Sequence, residues 1–260
     1  PNTINTYWDF LSGNFYDGRI RMTFLRSLIF NVALFTWTFA LMLIYIPLLA
    51  LPKSGMLAAI RLWTAGIFKF QRTILSLEFE FRGLDNLPEG PCIIASAHQS
   101  AWDTIAFYAV VDDPAFVMKQ ELYRVPLFGP YARKLKMIAI DRSGGVVEAR
   151  HMIQNVVDRL SHGRKVVIFP GGTRSAPNEI VQLKPGVTTL YRRTNVPVVP
   201  VSLNSGYFWG RRSFCKKSGC IVAAFQEPIP PGLNSAAFGT LLSRRIHAGN
   251  RELFKEAGLG

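Results

Sequence analysis

The sequence predicts an α/β fold: a central mixed, largely buried β-sheet flanked by helices, preceded by an N-terminal hydrophobic two-helix membrane-anchoring motif. Three observations carry this. From residue 76 onward, short apolar runs alternate with helix-length segments, the pattern of a sheet covered on both faces. Before that point, residues 27–52 contain no charged side chain. Several of the short apolar runs also end in polar groups, at His98, at Lys119 and at the stretch PGGTRS, residues 170–175. The predicted division is a membrane-associated helical hairpin over residues 1–75 and an α/β domain over residues 76–260.

The uncharged run SLIFNVALFTWTFALMLIYIPLLALP is 26 residues long. As a helix it reaches roughly 39 Å at 1.5 Å per residue, more than the ~30 Å of a bilayer's hydrocarbon. It is too long for the apolar part of a signal peptide, and no small-residue cleavage pattern closes it. Pro47 should bend or end the helix near Ile46. The segment MLAAIRLWTAGIFKFQRTIL follows, with Arg61, Lys69 and Arg72 interrupting apolar residues at helical spacing. It reads as an amphipathic helix at a membrane surface, its basic side chains toward headgroups. Arg19, Arg21 and Arg26 precede the apolar run, and Lys53, Arg61, Lys69 and Arg72 follow it. Such symmetric flanks fit a hairpin that enters one leaflet and returns better than a single span. A buried core helix is the third alternative, against which the density of Phe, Trp and Leu argues.

The remaining elements follow in order. LEFEFRGLDNLPEG alternates apolar and charged residues and then turns, as an exposed or edge strand does. PCIIASAH is a short buried strand ending at His98, and WDTIAFYAVV a helix. AFVMK and MIAID are strands ending at Lys119 and Asp141. VVEARHMIQNVVDRLSHG is an amphipathic helix closed by Gly163. RKVVIFPGG is a strand that stops at Pro170, VTTLYRRTN a short helix, VPVVPVSLN a strand with proline inside it and SGCIVAAFQEPI another strand. The segment SAAFGTLLSRRIHAGNRELFKEAG closes the chain as a helix.

Net charge is +13 and unevenly spread. Residues 1–100 hold 8 Lys/Arg against 6 Asp/Glu, and residues 101–260 hold 22 against 11. A basic domain calls for a polyanionic partner: nucleic acid, an anionic membrane surface or a phosphorylated substrate. Nucleic acid is the weakest of these, because the basic residues form no known reader motif and an apolar hairpin has no use there. Three cysteines, Cys92, Cys215 and Cys220, make an odd count. Cys215 and Cys220 have no second ligand pair nearby for zinc. No metal is implied, and reduced thiols in a cytosol-facing domain are expected.

The stretch ASAHQSAWDT, residues 95–104, places His98 and Asp103 five residues apart. On one ideal helix they would lie about 140° apart, so they meet only if the chain turns between them. A strand-to-helix turn at residues 99–101 permits that. Asp103 would then fix the tautomer of His98 and leave its other nitrogen free as a base. This is a nucleophile triad without its serine, and a substrate hydroxyl can fill that place. Equally, Asp103 caps the helix and His98 is a satisfied buried histidine. In FPGGTRSAP, two glycines let the backbone approach a ligand, while Thr173 and Arg174 offer donors suited to phosphate. The alternative is a tight turn with a solvated arginine. In the stretch from Lys119 to Arg142 basic residues alternate with Leu, Pro, Phe and Tyr, either as a membrane-adjacent, phosphate-attracting surface or as a helix with a solvated basic face.

Taken together these stretches resemble the glycerolipid acyltransferase family, over roughly residues 20–230. HQSAWD matches the family's H-x4-D block. KQELYRVPLFGPYARKLKMIAIDR matches the second block, FPGGTRS lies at the third, and VPVVPVSLNSG matches the fourth. Four ordered blocks after a hydrophobic hairpin are specific where one alone is weak. The resemblance is nearest to bacterial enzymes that acylate 1-acyl-glycerol-3-phosphate, and it implies a role for each position. His98 is the base that deprotonates the acceptor's sn-2 hydroxyl, and Asp103 orients it. The acyl chain passes directly from a thioester, without an acyl-enzyme. Arg174 holds the acceptor phosphate, Gly172 and Thr173 shape its loop, and Lys119 and Arg142 assist. No cofactor is needed; acyl-CoA or acyl carrier protein is the co-substrate. The implied location is the bacterial inner (cytoplasmic) membrane, with the active domain facing the cytoplasm.

Gly171 stands where the family's third block has glutamate, and Ala97 where a polar or basic residue is more common. The loss of the glutamate leaves two alternatives open: another lysolipid or glycerol-phosphate acceptor, or a catalytically impaired lipid-binding member. A serine hydrolase is a poor fit, since the sequence has no G-x-S-x-G elbow.

Overall fold

Helix α1 (Gly18–Ile44) and helix α2 (Lys53–Leu75) are joined by a 3-10 turn, Ile46–Leu49, in which Pro47 occupies an early position. This is the computed structural model of the chain, and it describes residues 18–141, 144–177, 179–180 and 182–258. Residues 1–17 of the predicted hairpin segment, and Arg142, lie outside these.

The two helices run antiparallel, because early residues of α1 meet late residues of α2. Arg26 reaches Ser76, and Trp37 Nε1 donates to the Trp63 carbonyl at 3.1 Å. Trp63 Nε1 in turn donates to Thr38 Oγ1 at 3.0 Å. Gly66 makes the crossing possible: a Cβ there would lie 2.4 Å from the Trp37 ring nitrogen. Only one face of α1 is covered. Phe30 and Leu41 are buried, whereas Val32, Phe35 and Phe39 are exposed. That one-sided exposure corrects the core-helix alternative. By length and composition, residues 20–44 are sufficient to cross a membrane.

The body is a seven-stranded sheet of β1 (Leu77–Arg82), β2 (Ile93–Ser96), β3 (Ala115–Lys119), β4 (Ile138–Ile140), β5 (Val166–Ile168), β6 (Val198–Leu203) and β7 (Gly219–Phe225). The order is β1-β7-β6-β2-β5-β3-β4, and every neighbouring pair is parallel except β6–β7. The sheet is therefore mixed. Helices α3 (Trp102–Val110), α4 (Phe128–Lys134), α5 (Gly145–Ser161), α6 (Pro185–Thr194), α7 (Ser205–Phe208) and α8 (Ser235–Glu256) flank it. Every residue of β2 and β6 is buried, which is why both read as unbroken apolar runs. β1 lies at an edge and keeps Glu78 and Glu80 in solvent.

Pro200 sits within an interior strand, where a missing N–H normally breaks the ladder. Here its carbonyl accepts from Gln226 N, so its nitrogen faces the β7 side. That side is already interrupted between the Val198–Ile229 bridge and the pairing that starts at Val201.

The hairpin packs on this body through polar and apolar contacts. Phe68 of α2 lies against Phe79 and Trp102. The Ser27 hydroxyl, fully buried, accepts from Lys216 N at 2.9 Å. The Lys216 ammonium donates to Asn31 Oδ1, Ser213 O and Phe214 O, all within 3.0 Å.

Candidate functional site

Strand β2 ends at Ser96 and the chain turns sharply before α3. This turn, absent from any single helix, brings His98 Nδ1 to 3.0 Å from Asp103 Oδ2. The same oxygen accepts from the backbone N–H groups of Gln99 (2.7 Å) and Ser100 (2.8 Å). The other carboxylate oxygen, Oδ1, accepts from Ser205 Oγ at 2.5 Å. Asp103 is fully buried. An ionised carboxylate in that position would cost several kcal/mol unless hydrogen-bonded, and four donors offset the cost. Asp103 therefore holds His98 and ties down the turn before α3; it does not cap the helix, whose N-cap residue, Ala101, has no side-chain cap bond.

With Nδ1 donating to Asp103, the lone pair of the imidazole is on Nε2. Among the described residues Nε2 has no partner. The ring stacks on Phe169, with centroids 3.9 Å apart and planes 18° from parallel, and it lines a cavity of about 990 Å³.

Strand β5 delivers the next piece. Gly172 N donates to Phe169 O at 2.8 Å and closes a turn in which Gly172 has φ 69°, the left-handed region that favours glycine. Ser175 N then donates to the carbonyl of His98 at 2.8 Å, stitching this loop to the His98 turn. Gly171, Gly172, Thr173 and Arg174 all line the cavity. Burial pulls the Arg174 guanidinium below its ordinary value; Asp103 opposes that shift and Arg211 adds to it. An arginine nonetheless stays charged. Lys119, at the end of β3, lines the same cavity. Six of the seven predicted positions besides Asp103, namely His98, Lys119 and residues 171–174, are therefore brought together, and the seventh, Arg142, is outside the described residues.

Other contributors were not anticipated. Ser205 comes from the β6–α7 junction, held there by Gln99, whose amide donates to Leu203 O and accepts from Gly206 N. Gly206 has to be glycine for this approach, since a Cβ would fall 2.7 Å from that of Gln99. Arg211 and Arg212, from the loop before β7, also line the cavity. Much of the remaining lining is apolar: the hairpin contributes Leu41, Met42, Met56, Ala59 and Trp63, and the α/β body contributes Phe116, Met118, Tyr131, Leu135 and Met137 among others. The repeated apolar pattern of the hairpin was visible in the sequence, but not that its inner face walls the site.

A carboxylate-held histidine whose other nitrogen is open to a large cavity is an arrangement able to do general-base chemistry. Residues 78–204 match the acyltransferase family. The chain is 33% identical over 177 residues to a 1-acyl-sn-glycerol-3-phosphate acyltransferase of Pseudomonas aeruginosa, covering 68% of this chain and 67% of that protein. It is 27% identical over 195 residues to 1-acyl-sn-glycerol-3-phosphate acyltransferase beta of Homo sapiens, covering 74% of this chain and 69% of that protein. The chain belongs to the acyltransferase family. Its fold is similar to that of the crystal structure of the 1-acyl-sn-glycerophosphate acyltransferase of Thermotoga maritima, with a TM-score of 0.71 and 21% identity over 88% of this chain and 97% of that one.

Proposed function

We propose that the protein transfers an acyl chain from a thioester donor to the sn-2 hydroxyl of 1-acyl-glycerol-3-phosphate, giving phosphatidate and a free thiol. The observation that carries this is the pairing of a buried, Asp103-held His98, Nε2 open to the cavity, with a half-buried arginine on the adjoining loop. Its relatives in Pseudomonas aeruginosa and Homo sapiens, both 1-acyl-sn-glycerol-3-phosphate acyltransferases, favour the same acceptor.

The chemistry needs one proton relay. His98 Nε2 takes the proton of the acceptor hydroxyl as its oxygen forms a bond to the thioester carbonyl carbon. Asp103 holds Nδ1–H and stabilises the imidazolium that results. Collapse of the tetrahedral species breaks the carbon–sulfur bond, and the leaving thiolate takes the proton from Nε2. No protein hydroxyl or thiol hydrogen-bonds Nε2 among the described residues, which favours direct transfer over an acyl-enzyme. Arg174, with Gly172, Thr173 and Lys119 around it, receives the acceptor phosphate. The apolar wall takes the acyl chain; about 990 Å³ is at the upper end of ordinary ligand pockets. The donor is acyl-CoA or acyl carrier protein. The exposed apolar face of α1 lies in one leaflet of an anionic bilayer, in the bacterial inner membrane, with the α/β body on the cytoplasmic side.

The test is an acyl-transfer assay on lysophosphatidate and acyl-CoA, run beside His98→Ala and Gly171→Glu. Turnover by the chain as it stands, lost in His98→Ala, is the expected result. No turnover, with activity appearing in Gly171→Glu, would overturn it in favour of a catalytically impaired lipid-binding protein.

A further inference from the structure

Arg211 and Arg212 lie in the loop between α7 and β7, outside all four sequence blocks, yet both line the cavity that His98 and Arg174 line. Arg211 Nη1 donates to the backbone carbonyl of Arg174 at 2.9 Å. That bond uses one of the five N–H groups of Arg211. Among the described residues the side chains of Arg174 and Arg212 make no hydrogen bond or ion pair. Arg212 also holds a left-handed backbone, φ 57°. That is a backbone region uncommon for a non-glycine residue.

These arginines sit close enough for Arg211 to disfavour the charge on Arg174. An anion bound between like charges offsets their repulsion. The carboxylate that acts on Arg174, Asp103, is already occupied by four donors. Gly171, in the same loop, contributes no side-chain charge. Lys119 and Lys184 add further positive charge to the lining, against Asp141. What fits is an anion with more acceptor oxygens than one arginine fork can satisfy. A phosphomonoester dianion has three terminal oxygens and suits several guanidinium donors at once. A phosphodiester has two such oxygens and one charge.

We propose that Arg211 and Arg212 form a second arm of the phosphate site beside Arg174, and that this arm selects acceptors bearing a phosphomonoester. The proposal rests on the acyl-transfer reading above and specifies its acceptor. The same phosphate chemistry is found on the donor, in the phosphate-bearing arm of acyl-CoA, so the test must separate the two sources.

The variants are Arg211→Gln, Arg212→Gln, the double variant and Arg211→Lys, in the full chain in detergent micelles. Initial rates are measured against lysophosphatidate at saturating acyl-CoA, against acyl-CoA at saturating lysophosphatidate, and against lysophosphatidylglycerol, a phosphodiester. Each Gln variant should raise KM for lysophosphatidate about tenfold, or ~1.4 kcal/mol, with KM for acyl-CoA within twofold. The preference for lysophosphatidate over the phosphodiester should fall by a similar factor, and Arg211→Lys should recover part of it. Arg212→Gln guards against a loop artefact, because among the described residues the Arg212 side chain has no hydrogen-bond partner to lose. A rise in KM for acyl-CoA alone would assign the arginines to the donor and overturn the proposal. So would an unmoved acceptor KM in the double variant, or an equal loss on both acceptors. Lysophosphatidate binding to the His98→Ala protein, with and without Arg212→Gln, separates this from failure of the acyl-transfer reading. Weaker binding with the second substitution upholds the clamp even if the chain transfers no acyl group, and unaltered binding overturns it.

Discussion

The two walls of the cavity are built by different physics. The polar wall is a set of short directional bonds. His98, Gln99, Ser100 and Ser205 all converge on one buried carboxylate, and Ser175 ties the neighbouring loop to the same turn. The apolar wall has few such bonds. The hairpin's share of it is Leu41, Met42, Met56, Ala59 and Trp63, held by packing and by the Trp37–Trp63–Thr38 contacts. A chemical step needs atoms fixed to a fraction of an ångström, whereas an acyl chain needs only dry volume. The difference predicts that the polar wall tolerates almost no change in rate-determining groups, while the apolar wall can be reshaped with its effects confined to chain length.

The largest effect should come from the polar wall. His98→Ala removes the base and should lower kcat by roughly 10²–10⁴-fold, read as initial rate with lysophosphatidate and acyl-CoA. Asp103→Asn should come close to it, because an amide facing Nδ1 permits the wrong tautomer. A variant of either kind that keeps more than about a tenth of the activity would sink the general-base reading. Next in size is the apolar wall. Ala59→Trp places an indole in the cavity, and each methylene that loses its place costs about 0.8 kcal/mol. The ratio of kcat/KM for a sixteen-carbon over an eight-carbon thioester should fall by roughly tenfold or more, with the short donor still turned over. Equal losses on both donors would mean that the hairpin supports the site without measuring the chain.

Ser205→Ala should be smaller. It removes one hydrogen bond to an ionised carboxylate, a group of bonds worth ~1.5–3 kcal/mol, while leaving Asp103 its other three donors. About a tenfold fall in kcat is expected, with little change in KM for either substrate and partial recovery in Ser205→Thr. A change in KM with kcat intact would place Ser205 in substrate binding instead.

The same contrast governs what the sequence reveals. His98 and Asp103 are legible because the turn that joins them is local, five residues of chain. The strands are legible because burial on both faces leaves unbroken apolar runs, as in β2 and β6. Ser205 is not, since its bond to Asp103 spans 102 residues and depends on β6 lying beside β2. Arg211 and Arg212 look like any solvated pair until the loop is seen to reach the cavity. The hairpin's apolar character is plain in the sequence, but its double duty is not. One face of α1 stays uncovered while residues on the other line the site, and hydropathy alone does not separate them.

Lys216 ties the two walls together and gives the smallest expected effect. It lies in the loop that carries Arg211, and its ammonium reaches back to Asn31 of α1. The side chain is buried, and burial pushes its amine from 10.5 down to about 8. Below that point both the folded and unfolded chains carry the proton, so the penalty is constant. Between about 8 and 10.5 the folded chain has released a proton that the unfolded chain still holds. Stability should therefore rise with pH across that window, by at most ~1.4 kcal/mol per pH unit. Lys216→Met should remove this increment while leaving the acyl-transfer rate within about twofold at pH 7.5, since Ser27 and the ring contacts still hold α1 and none of them reaches Nε2 of His98. The check is the denaturant midpoint of both proteins in detergent at pH 7.5, 9 and 10. If the difference between them does not change with pH, the amine is charged throughout, held so by its three acceptors, and the seam between the walls is an ordinary set of hydrogen bonds.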